Sequence, residues 1–301
     1  MHVVITGATG LIGGALSAQL IAAGHRVSGL TRGPADPTRA RLHWDPEHRA
    51  LDRACFEGVD AVVHLAGENI GAGRWNAARK QRLRDSRLLG TMLLSDTLAK
   101  MQRAPKVLVS ASAVGFYGDR GDDELTEATD GGGDFLAKLC QEWEQAVEPA
   151  VQKGIRVVNP RLGVVLARQG GALPRMLTPF RLCLGGRIGS GRQYMSWITL
   201  EDAVAALQFL IETQPVQGPV NLVAPQPVTN REFTQTLGRV LGRPTIFPLP
   251  GFMVSLLLGE MGRALLLSSQ KVQPTVLQEA GFNFKQPALE GALRSVLHAT
   301  S

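Results

Sequence analysis

Cysteine is scarce in this chain of 301 residues, which contains only Cys55, Cys140 and Cys183. The three cysteines are far apart, odd in number and without a C-x-x-C pair. This pattern argues against a disulfide framework and against a structural zinc site. We therefore expect no metal site, and a reducing cytoplasm is the expected location.

Long apolar runs are also missing. The most apolar stretch, residues 252–267, is interrupted by Gly259, Glu260, Gly262 and Arg263, whereas a membrane-spanning helix needs about 20 consecutive apolar residues. The sequence opens directly into a strand-like segment, without the basic, apolar and cleavage regions of a signal peptide. These absences predict a soluble intracellular protein that has no membrane partner.

Charge is sparse as well, since charged residues make up 19% of the chain and the formal net charge is +6. This small surplus of Lys and Arg is compatible with an anionic ligand. Without a recognition-helix pattern it does not favour binding to nucleic acid. The hydrophobic fraction of 44% excludes a largely disordered chain.

What the N-terminal segment does contain is a strand–helix–strand pattern. Residues 2–6 are apolar and β-rich, as in a buried parallel strand, and residues 26–31 form a second such run. Between them, apolar residues at helical spacing follow a glycine-rich turn that reads Gly7-Ala8-Thr9-Gly10-Leu11-Ile12-Gly13. In a dinucleotide site the first glycine permits the tight turn, the second lets the backbone approach a pyrophosphate, and the third allows close helix packing. The order strand, turn, helix favours a dinucleotide site over an ordinary turn.

The end of the second strand favours NADP(H). An NAD site usually places Asp or Glu at this point, whereas an Arg accommodates a 2′-phosphate. This chain has Leu30-Thr31-Arg32-Gly33-Pro34, with no carboxylate. Arg32 is therefore predicted to pair with the phosphate and to stack on adenine, which would favour NADP(H) by roughly ten- to a hundredfold. The alternative is a solvated charge at the strand end.

Strands and helices continue to alternate up to residue 166. Strand-like runs at 59–66, 106–112 and 155–166 are separated by helical patterns at 75–100 and 133–153. This alternation predicts an α/β protein with a Rossmann-type doubly wound parallel sheet.

After residue 166 the pattern changes. Residues 167–197 are rich in Gly, Pro and Arg, which predicts long loops over a cleft. A helix at 200–212, a strand at 219–223 and a capping box at Thr229–Glu232 follow, and then an apolar helical region. We expect a dinucleotide-binding domain over 1–166 and a smaller substrate-binding lobe over 167–301, intertwined as one unit.

Three segments together resemble an extended short-chain dehydrogenase/reductase of the nucleotide-sugar epimerase type: TGATGLIG at 6–13, VVHLAGE at 62–68 and VLVSAS at 107–112. More narrowly, the chain is similar to the atypical "epimerase family protein" (YfcH-like) subfamily. That similarity is carried by Gly67-Glu68-Asn69-Ile70, Arg74-Trp75, Arg79-Lys80, Ser86-Arg87-Leu88-Leu89-Gly90-Thr91, Phe135-Leu136-Ala137, Trp143-Glu144 and Ser196-Trp197-Ile198. The resemblance runs from residue 2 to about 293.

The resemblance implies a Tyr, and a Lys four residues later, as the proton-transfer pair. Neither tyrosine of the chain fits, because Tyr117 is followed by Gly121 at that spacing and Tyr194 by Ile198. Where the active-site helix is expected, the sequence reads Asp134-Phe135-Leu136-Ala137-Lys138-Leu139-Cys140. If Lys138 takes the Lys position, Asp134 falls at the Tyr position. If Cys140 takes the Lys position, Leu136 falls at the Tyr position. The atypical subfamily is similar in carrying Cys at this position, which favours the second register.

Three candidate catalytic residues follow from the resemblance. Ser112 matches the Ser that polarises the substrate oxygen, and its alternative is a strand-end Ser bonded to backbone. Tyr117 is a candidate for a displaced phenol, with packing or lining of the substrate site as the alternative. Cys140 is either a reactive thiol or an inert buried helix residue.

The predicted cofactor contacts lie in the glycine-rich turn, at the ends of the strand-like runs 26–31 and 59–66, in the helical pattern 75–100 and in the run 106–112. They are Gly7, Thr9, Gly10, Leu11, Ile12, Gly13, Thr31, Arg32, Leu65, Ala66, Gly67, Glu68, Arg87 and Ser110. The alternative for Glu68 is a solvated loop charge. Arg87 falls where the parent family has a structural Asn, and its alternative is a solvated or internally paired charge.

These features lead us to expect an NADP(H)-dependent oxidoreductase or nucleotide-sugar epimerase-like enzyme. Its substrate would be a small molecule, and a sugar nucleotide is one option. The diphosphate of a sugar nucleotide would be bound by Arg168, Arg175, Arg181, Arg187 and Arg192. The alternative is a non-catalytic NADP(H)-binding protein that senses the cofactor or holds a partner, and the missing Tyr–Lys pair supports it. A homodimer through the helical regions 80–101 and 136–152 is a further option.

Overall fold

The computed structural model describes residues 1–36, 38 and 40–298. Within them the strands are β1 (His2–Thr6), β2 (Arg26–Thr31), β3 (Arg41–Asp45), β4 (Ala50–Leu51), β5 (Ala61–His64), β6 (Val107–Ser110), β7 (Ser112–Ala113), β8 (Glu124–Leu125), β9 (Arg156–Leu162), β10 (Val164–Leu166), β11 (Tyr194–Met195), β12 (Trp197–Thr199), β13 (Gly218–Leu222), β14 (Val228–Thr229) and β15 (Lys271–Val272).

The helices of the same residues are α1 (Leu11–Ala22), α2 (Ala77–Ala99), α3 (Phe135–Gln145), α4 (Glu148–Gln152), α5 (Leu173–Arg181), α6 (Leu200–Glu212), α7 (Asn230–Leu241), α8 (Gly251–Gly262), α9 (Thr275–Glu279) and α10 (Leu289–His298). Single turns of other helical types occur at Arg53–Phe56, Val114–Tyr117 and Arg263–Leu267.

A mostly parallel sheet lies at the centre of the fold. Its strand order is β13-β9-β6-β5-β1-β2-β3-β4, and β7 also pairs with β9. Every pairing in this sheet is parallel except the one between β3 and the short edge strand β4. The chain builds outward from β1 in one direction through β2 and β3, and then in the other direction through β5, β6, β9 and β13. A reversal of this kind opens a crevice at the carboxyl ends of the strands beside β1.

Helices cover both faces of this sheet, so the predicted doubly wound fold is confirmed. On one face, α1 and α6 pack against Val3, Ile5 and Val63. On the other face, α2 and α4 cover Val4 and Leu108. The central strands are buried on both sides, which explains why their sequences are apolar without alternation.

Two predicted segments differ in the structure. The helical pattern at 133–153 is divided into two helices, α3 and α4. Pro149 lies in the first turn of α4, where the backbone N–H that proline lacks would have no partner within the helix. Residues 167–197 were expected to be loops but contain α5, whose residues Leu173, Leu177 and Phe180 are buried on one face. The high Gly, Pro and Arg content of this segment hides the helical spacing of these three apolar residues.

The chain after residue 166 returns to the central sheet. Strand β13 pairs with β9 at one end of it, and α6 packs against α1. Separate two-stranded sheets join β10 with β12, β11 with β14, and β8 with β15. The predicted domain boundary at residue 166 stays a prediction.

None of the helices in the described part of the chain is long and apolar enough to cross a membrane.

Candidate functional site

The candidate site lies at the carboxyl edge of the central sheet, where parallel strands end side by side. Thr6 ends β1, Thr31 ends β2, His64 ends β5 and Ser110 ends β6. Thr6 is in register with Leu30 on one side and with His64 on the other. The segments that follow these four strands therefore meet above one crevice.

The glycine-rich turn after β1 is tightly packed. Gly7 has a φ of +69°, and the amide of Gly10 donates to the Gly7 carbonyl over 2.9 Å. A Cβ on Gly7 would lie 3.0 Å from the backbone of Leu65 and Ala66. A Cβ on Gly13 would overlap the Gly7 carbonyl oxygen. Gly7 and Gly13 thus have the turn and packing geometry that the sequence predicts.

The N-terminus of α1 faces this crevice without a side-chain cap. Gly10 is the N-cap residue, and the first turn contains no acidic side chain. The amides of that turn, including those of Leu11, Ile12 and Gly13, carry the positive end of the helix dipole. The loop after β10 passes close by, since a Cβ on Gly170 would lie 3.4 Å from Leu11 Cδ1. An anion fits this position by charge and by hydrogen-bond geometry.

Arg32 follows β2 directly and is exposed. Its neighbours hold the turn, because Thr31 Oγ1 accepts from the Gly33 amide over 3.2 Å and a ring nitrogen of His43 bonds the Gly33 carbonyl over 2.9 Å. Arg32 itself makes no hydrogen bond or ion pair with any residue that the structure describes. Its guanidinium is therefore available to an anionic ligand at this end of the crevice.

Glu68 is half-exposed and paired within the chain. Its carboxylate pairs with Arg79, a buried residue of α2 that also bonds the Asn69 carbonyl. The Glu68 amide donates to Ser86 Oγ over 3.1 Å. Arg79 therefore competes with a ligand for the Glu68 carboxylate. Arg79 also holds the loop that contains Glu68 and Asn69.

Arg87 lies under the same loop. It donates to the carbonyls of Leu83 and Glu68 over 3.1 and 3.2 Å, and its guanidinium carbon lies 5.1 Å from the centre of the Trp143 ring. Burial lowers the pKa of Arg87. Within the described residues it has no carboxylate partner, so a positive charge stands beside Gly67 without an ion pair.

Ser112 faces a carboxylate. Its hydroxyl donates to Glu144 Oε1 over 2.6 Å, and Arg161 donates to both oxygens of Glu144 over 2.9 and 2.8 Å. Ser112 is 1% exposed and Arg161 is 3% exposed. The side-chain partner of Ser112 differs from the backbone partner that the sequence offered as its alternative.

Tyr117 belongs to the same polar network and is completely buried. Its hydroxyl donates to Asn221 Oδ1 over 2.7 Å and accepts from Arg161 Nη1 over 3.0 Å. Burial raises the pKa of Tyr117. The geometry therefore favours the packing role for Tyr117 over a displaced catalytic phenol.

Cys140, not Lys138, is turned toward Ser112. Its thiol is in contact with Ser112 and with the backbone of Ala113, whereas Lys138 is exposed on α3. Burial raises the pKa of Cys140 to about 12. The thiol thus stays protonated, which favours the inert helix residue over the reactive thiol. Asp134, the partner of Lys138 in the other register, is the N-cap of α3 and accepts from the Ala137 amide.

Ser110 is the last residue of β6. It is completely buried, and its hydroxyl has no hydrogen-bond partner among the described residues. Its expected contact with the cofactor stays a prediction. Of the other expected contacts, Thr9, Gly10 and Gly67 are exposed, and Leu11, Ile12, Leu65 and Ala66 are half-buried along the same edge.

Sequence reasoning missed Glu144 and Arg161. Helical spacing contains a signal for the first, because Glu144 follows Cys140 by four residues and so lies on the same face of α3. Arg161 is the residue in register with Ser112 between β7 and β9. That pairing depends on the sheet, and no local pattern reveals it.

The chain is similar to known proteins over nearly its whole length. The sequence model of the NAD dependent epimerase/dehydratase family matches residues 3–222, and that of a domain of unknown function, DUF1731, matches residues 249–296. The epimerase family protein MT2273 of Mycobacterium tuberculosis is 48% identical over 291 residues, which are 97% of this chain and 96% of the relative.

Two solved structures extend this similarity. The human epimerase family protein SDR39U1 (isoform 2), solved with NADPH, superposes with a TM-score of 0.91 at 38% identity and full coverage of both chains, 100% each. The nucleoside-diphosphate sugar epimerase of Corynebacterium glutamicum gives a TM-score of 0.83 at 36% identity, covering 99% of this chain and 58% of that one.

Proposed function

The chain belongs to the NAD dependent epimerase/dehydratase family, and from that premise we propose that it binds NADP(H) in the crevice beside β1. The observation that carries the proposal is the N-terminus of α1 behind the glycine-rich turn, which has no side-chain cap. Arg32, which has no partner among the described residues, lies at the end of the adjacent strand. The human relative solved with NADPH supports the choice of cofactor.

Different residues of the chain hold three parts of the cofactor. The amides at the start of α1 hold the pyrophosphate. Arg32, on the β2 side of β1, holds the adenosine 2′-phosphate. The nicotinamide half extends to the other side of β1, over the segments that follow β5 and β6, where Gly67, Glu68 and Arg87 lie.

We propose an oxidoreductase or epimerase-like reaction on a small molecule. The bound nicotinamide supplies a site that accepts or donates hydride. Ser112 orients the substrate oxygen through its lone pairs, because its own proton is donated to Glu144. Since Tyr117 and Cys140 are buried and stay protonated, the proton of the reaction is exchanged with water or with the substrate itself.

A sugar nucleotide is the substrate class that we propose. Residues 167–200 contain Arg168, Arg175, Arg181, Arg187 and Arg192 but no Asp or Glu, so they favour an anion such as a diphosphate. Arg175 also donates to the Gly71 carbonyl over 2.8 Å, which joins this segment to the loop after β5. The name of the Corynebacterium relative supports the same class.

A second candidate function is NADP(H) binding without catalysis. The bond from Ser112 to Glu144 and the burial of Tyr117 favour it, because neither side chain presents a proton to the crevice. We propose a homodimer for either candidate function. The helices expected at its interface carry exposed Leu89, Met92 and Val151.

Calorimetry on nucleotide-free protein tests the cofactor proposal. We expect NADPH to bind at least about tenfold more tightly than NADH. Replacing Arg32→Asp should weaken NADPH by roughly ten- to a hundredfold, because it substitutes repulsion for a charged hydrogen bond. Arg26→Asp is the matched control, since Arg26 is exposed at the opposite end of β2. Equal NADPH affinity in both variants would exclude the role of Arg32.

A substrate panel separates the two candidate functions. An enzyme must oxidise NADPH, or epimerise a sugar nucleotide, with some member of the panel, and Ser112→Ala should slow that reaction. Tight binding of NADPH without turnover across the panel favours the binding protein.

A further inference from the structure

We propose that Thr6 and His64 form a buried hydrogen-bonded pair that positions residues 65–67 for the nicotinamide half of the dinucleotide. Neither residue is among the expected ligand contacts, and both act through the backbone that follows β5. The inference rests on the proposed binding of NADP(H).

A single hydroxyl joins the ends of two neighbouring strands. Thr6 and His64 are in register between β1 and β5. Thr6 Oγ1 lies 2.7 Å from His64 Nδ1 and accepts from the amides of Leu65 and Ala66, each over 3.1 Å. The Leu65 amide also reaches the Thr6 carbonyl over 3.3 Å. The backbone that leaves β5 is thus held by the side chain that ends β1.

The hydrogen bonds determine which nitrogen of His64 carries the proton. A hydroxyl has two lone pairs and one proton, and the amides of Leu65 and Ala66 occupy both lone pairs of Thr6 Oγ1. The hydroxyl proton therefore goes to His64 Nδ1, which must be unprotonated. The ring proton then sits on Nε2. Burial lowers the pKa of His64 to about 4, so the ring is neutral near pH 7.

Keeping a histidine here is unfavourable for stability alone. Nε2 is buried and has no hydrogen-bond partner among the described residues, and a buried N–H without a partner is destabilising. The ring packs edge-on against Trp44 at 5.8 Å, and a Cβ on Gly90 would lie 3.4 Å from it. An apolar side chain would suit these neighbours better. What histidine adds is the acceptor Nδ1 that orients the Thr6 hydroxyl.

The segment held in this way lies against the glycine-rich turn. A Cβ on Gly7 would be 3.0 Å from the Leu65 carbonyl and from the Ala66 nitrogen, so residues 65–66 pack against Gly7 with no room for a side chain between them. Gly67 and Glu68 follow directly, and the Glu68 carbonyl accepts from Arg87. Because β5 and β2 lie on opposite sides of β1, this segment faces the nicotinamide half, away from Arg32.

The test compares a whole ligand with part of it. NADPH and adenosine 2′,5′-bisphosphate are titrated into wild type, His64→Leu and His64→Asn. Leucine removes the acceptor, whereas the Oδ1 of asparagine replaces it near the position of Nδ1. We expect His64→Leu to weaken NADPH about tenfold while adenosine 2′,5′-bisphosphate binds as it does to wild type. His64→Asn should restore most of the NADPH affinity.

The outcomes separate this inference from the proposed function. If wild type binds neither ligand, the proposed function fails. If wild type binds both, the inference is overturned when His64→Leu leaves NADPH unchanged or weakens both ligands equally. If His64→Leu does not fold, Thr6→Val against Thr6→Ser provides the same comparison, because only serine keeps the hydroxyl. Nitrogen-15 NMR of the wild-type ring must show the proton on Nε2, and a proton on Nδ1 contradicts the pair.

Discussion

Ser112 donates its hydroxyl proton to Glu144 Oε1 over 2.6 Å, and this bond limits the chemistry that Ser112 can perform. A hydroxyl whose proton is held by a carboxylate cannot also donate that proton to a substrate carbonyl. Its oxygen, which the thiol of Cys140 also contacts, can still accept from a substrate hydroxyl. The arrangement therefore suits an alcohol as the group bound at Ser112 better than a carbonyl.

Glu144 also neutralises a buried cation, and this is the basis of a stability prediction. Replacing Glu144→Gln leaves the guanidinium of Arg161, whose side chain is 4% exposed, without a counter-charge. Breaking a buried ion pair from one side costs about 3–5 kcal/mol. We expect a loss of that size in the free energy of unfolding, measured by urea denaturation with fluorescence detection.

Glu142 provides the matched control two residues earlier on α3. It pairs with Arg84, and the side chains of both residues are more than 40% exposed, at 44% and 46%. Glu142→Gln should cost no more than about 1 kcal/mol, because water screens an exposed pair. Equal losses for the two substitutions would contradict a buried role for Glu144.

The local parts of this fold can be read from the sequence. The first strand, the glycine-rich turn and α1 were predicted because the turn's residue types and the helical spacing are encoded in consecutive residues. The capping box of α7 was predicted for the same reason, and Thr229 and Glu232 bond each other's backbone as expected. The bounds of α6 were also predicted correctly.

Contacts across the sheet could not be predicted in this way. Thr6 and His64 are 58 residues apart, and Ser112 is 32 residues from Glu144. Their partnership depends on strand order and register, which no local pattern specifies. The same limit applies to Glu68, for which the sequence indicates only a ligand contact or a solvated charge. Its actual partner, Arg79, projects from the next helix.

The two consecutive glycines of α1 should respond oppositely to the same substitution. A Cβ on Gly13 would overlap the Gly7 carbonyl oxygen and lie 2.9 Å from its carbonyl carbon. Since a backbone atom cannot move aside without displacing the turn, Gly13→Ala should destabilise the protein by about 1–3 kcal/mol and weaken NADPH. Thermal unfolding with and without NADPH measures both effects.

Gly14→Ala is the control for that prediction. Its Cβ would lie 3.5 Å from the Ala8 carbonyl oxygen, which is ordinary contact. Alanine within a helix is favoured over glycine by roughly 0.5–1 kcal/mol, so this variant should be as stable as wild type or more so. If Gly13→Ala is equally well tolerated, the close packing of the turn is not required.

The buried His64 should make the protein sensitive to mild acid. Because its pKa is lowered from 6.5 to about 4 in the folded state, the unfolded chain takes up a proton first as the pH falls. The stability contributed by neutral His64 is complete above pH 6.5 and is lost between there and about pH 4. Between pH 7 and pH 5, wild type should lose about 2 kcal/mol more than His64→Asn in urea unfolding. His43→Asn, which replaces an exposed histidine on β3, should keep the pH dependence of wild type. If the pH dependence of His64→Asn matches that of wild type, the acid sensitivity arises elsewhere.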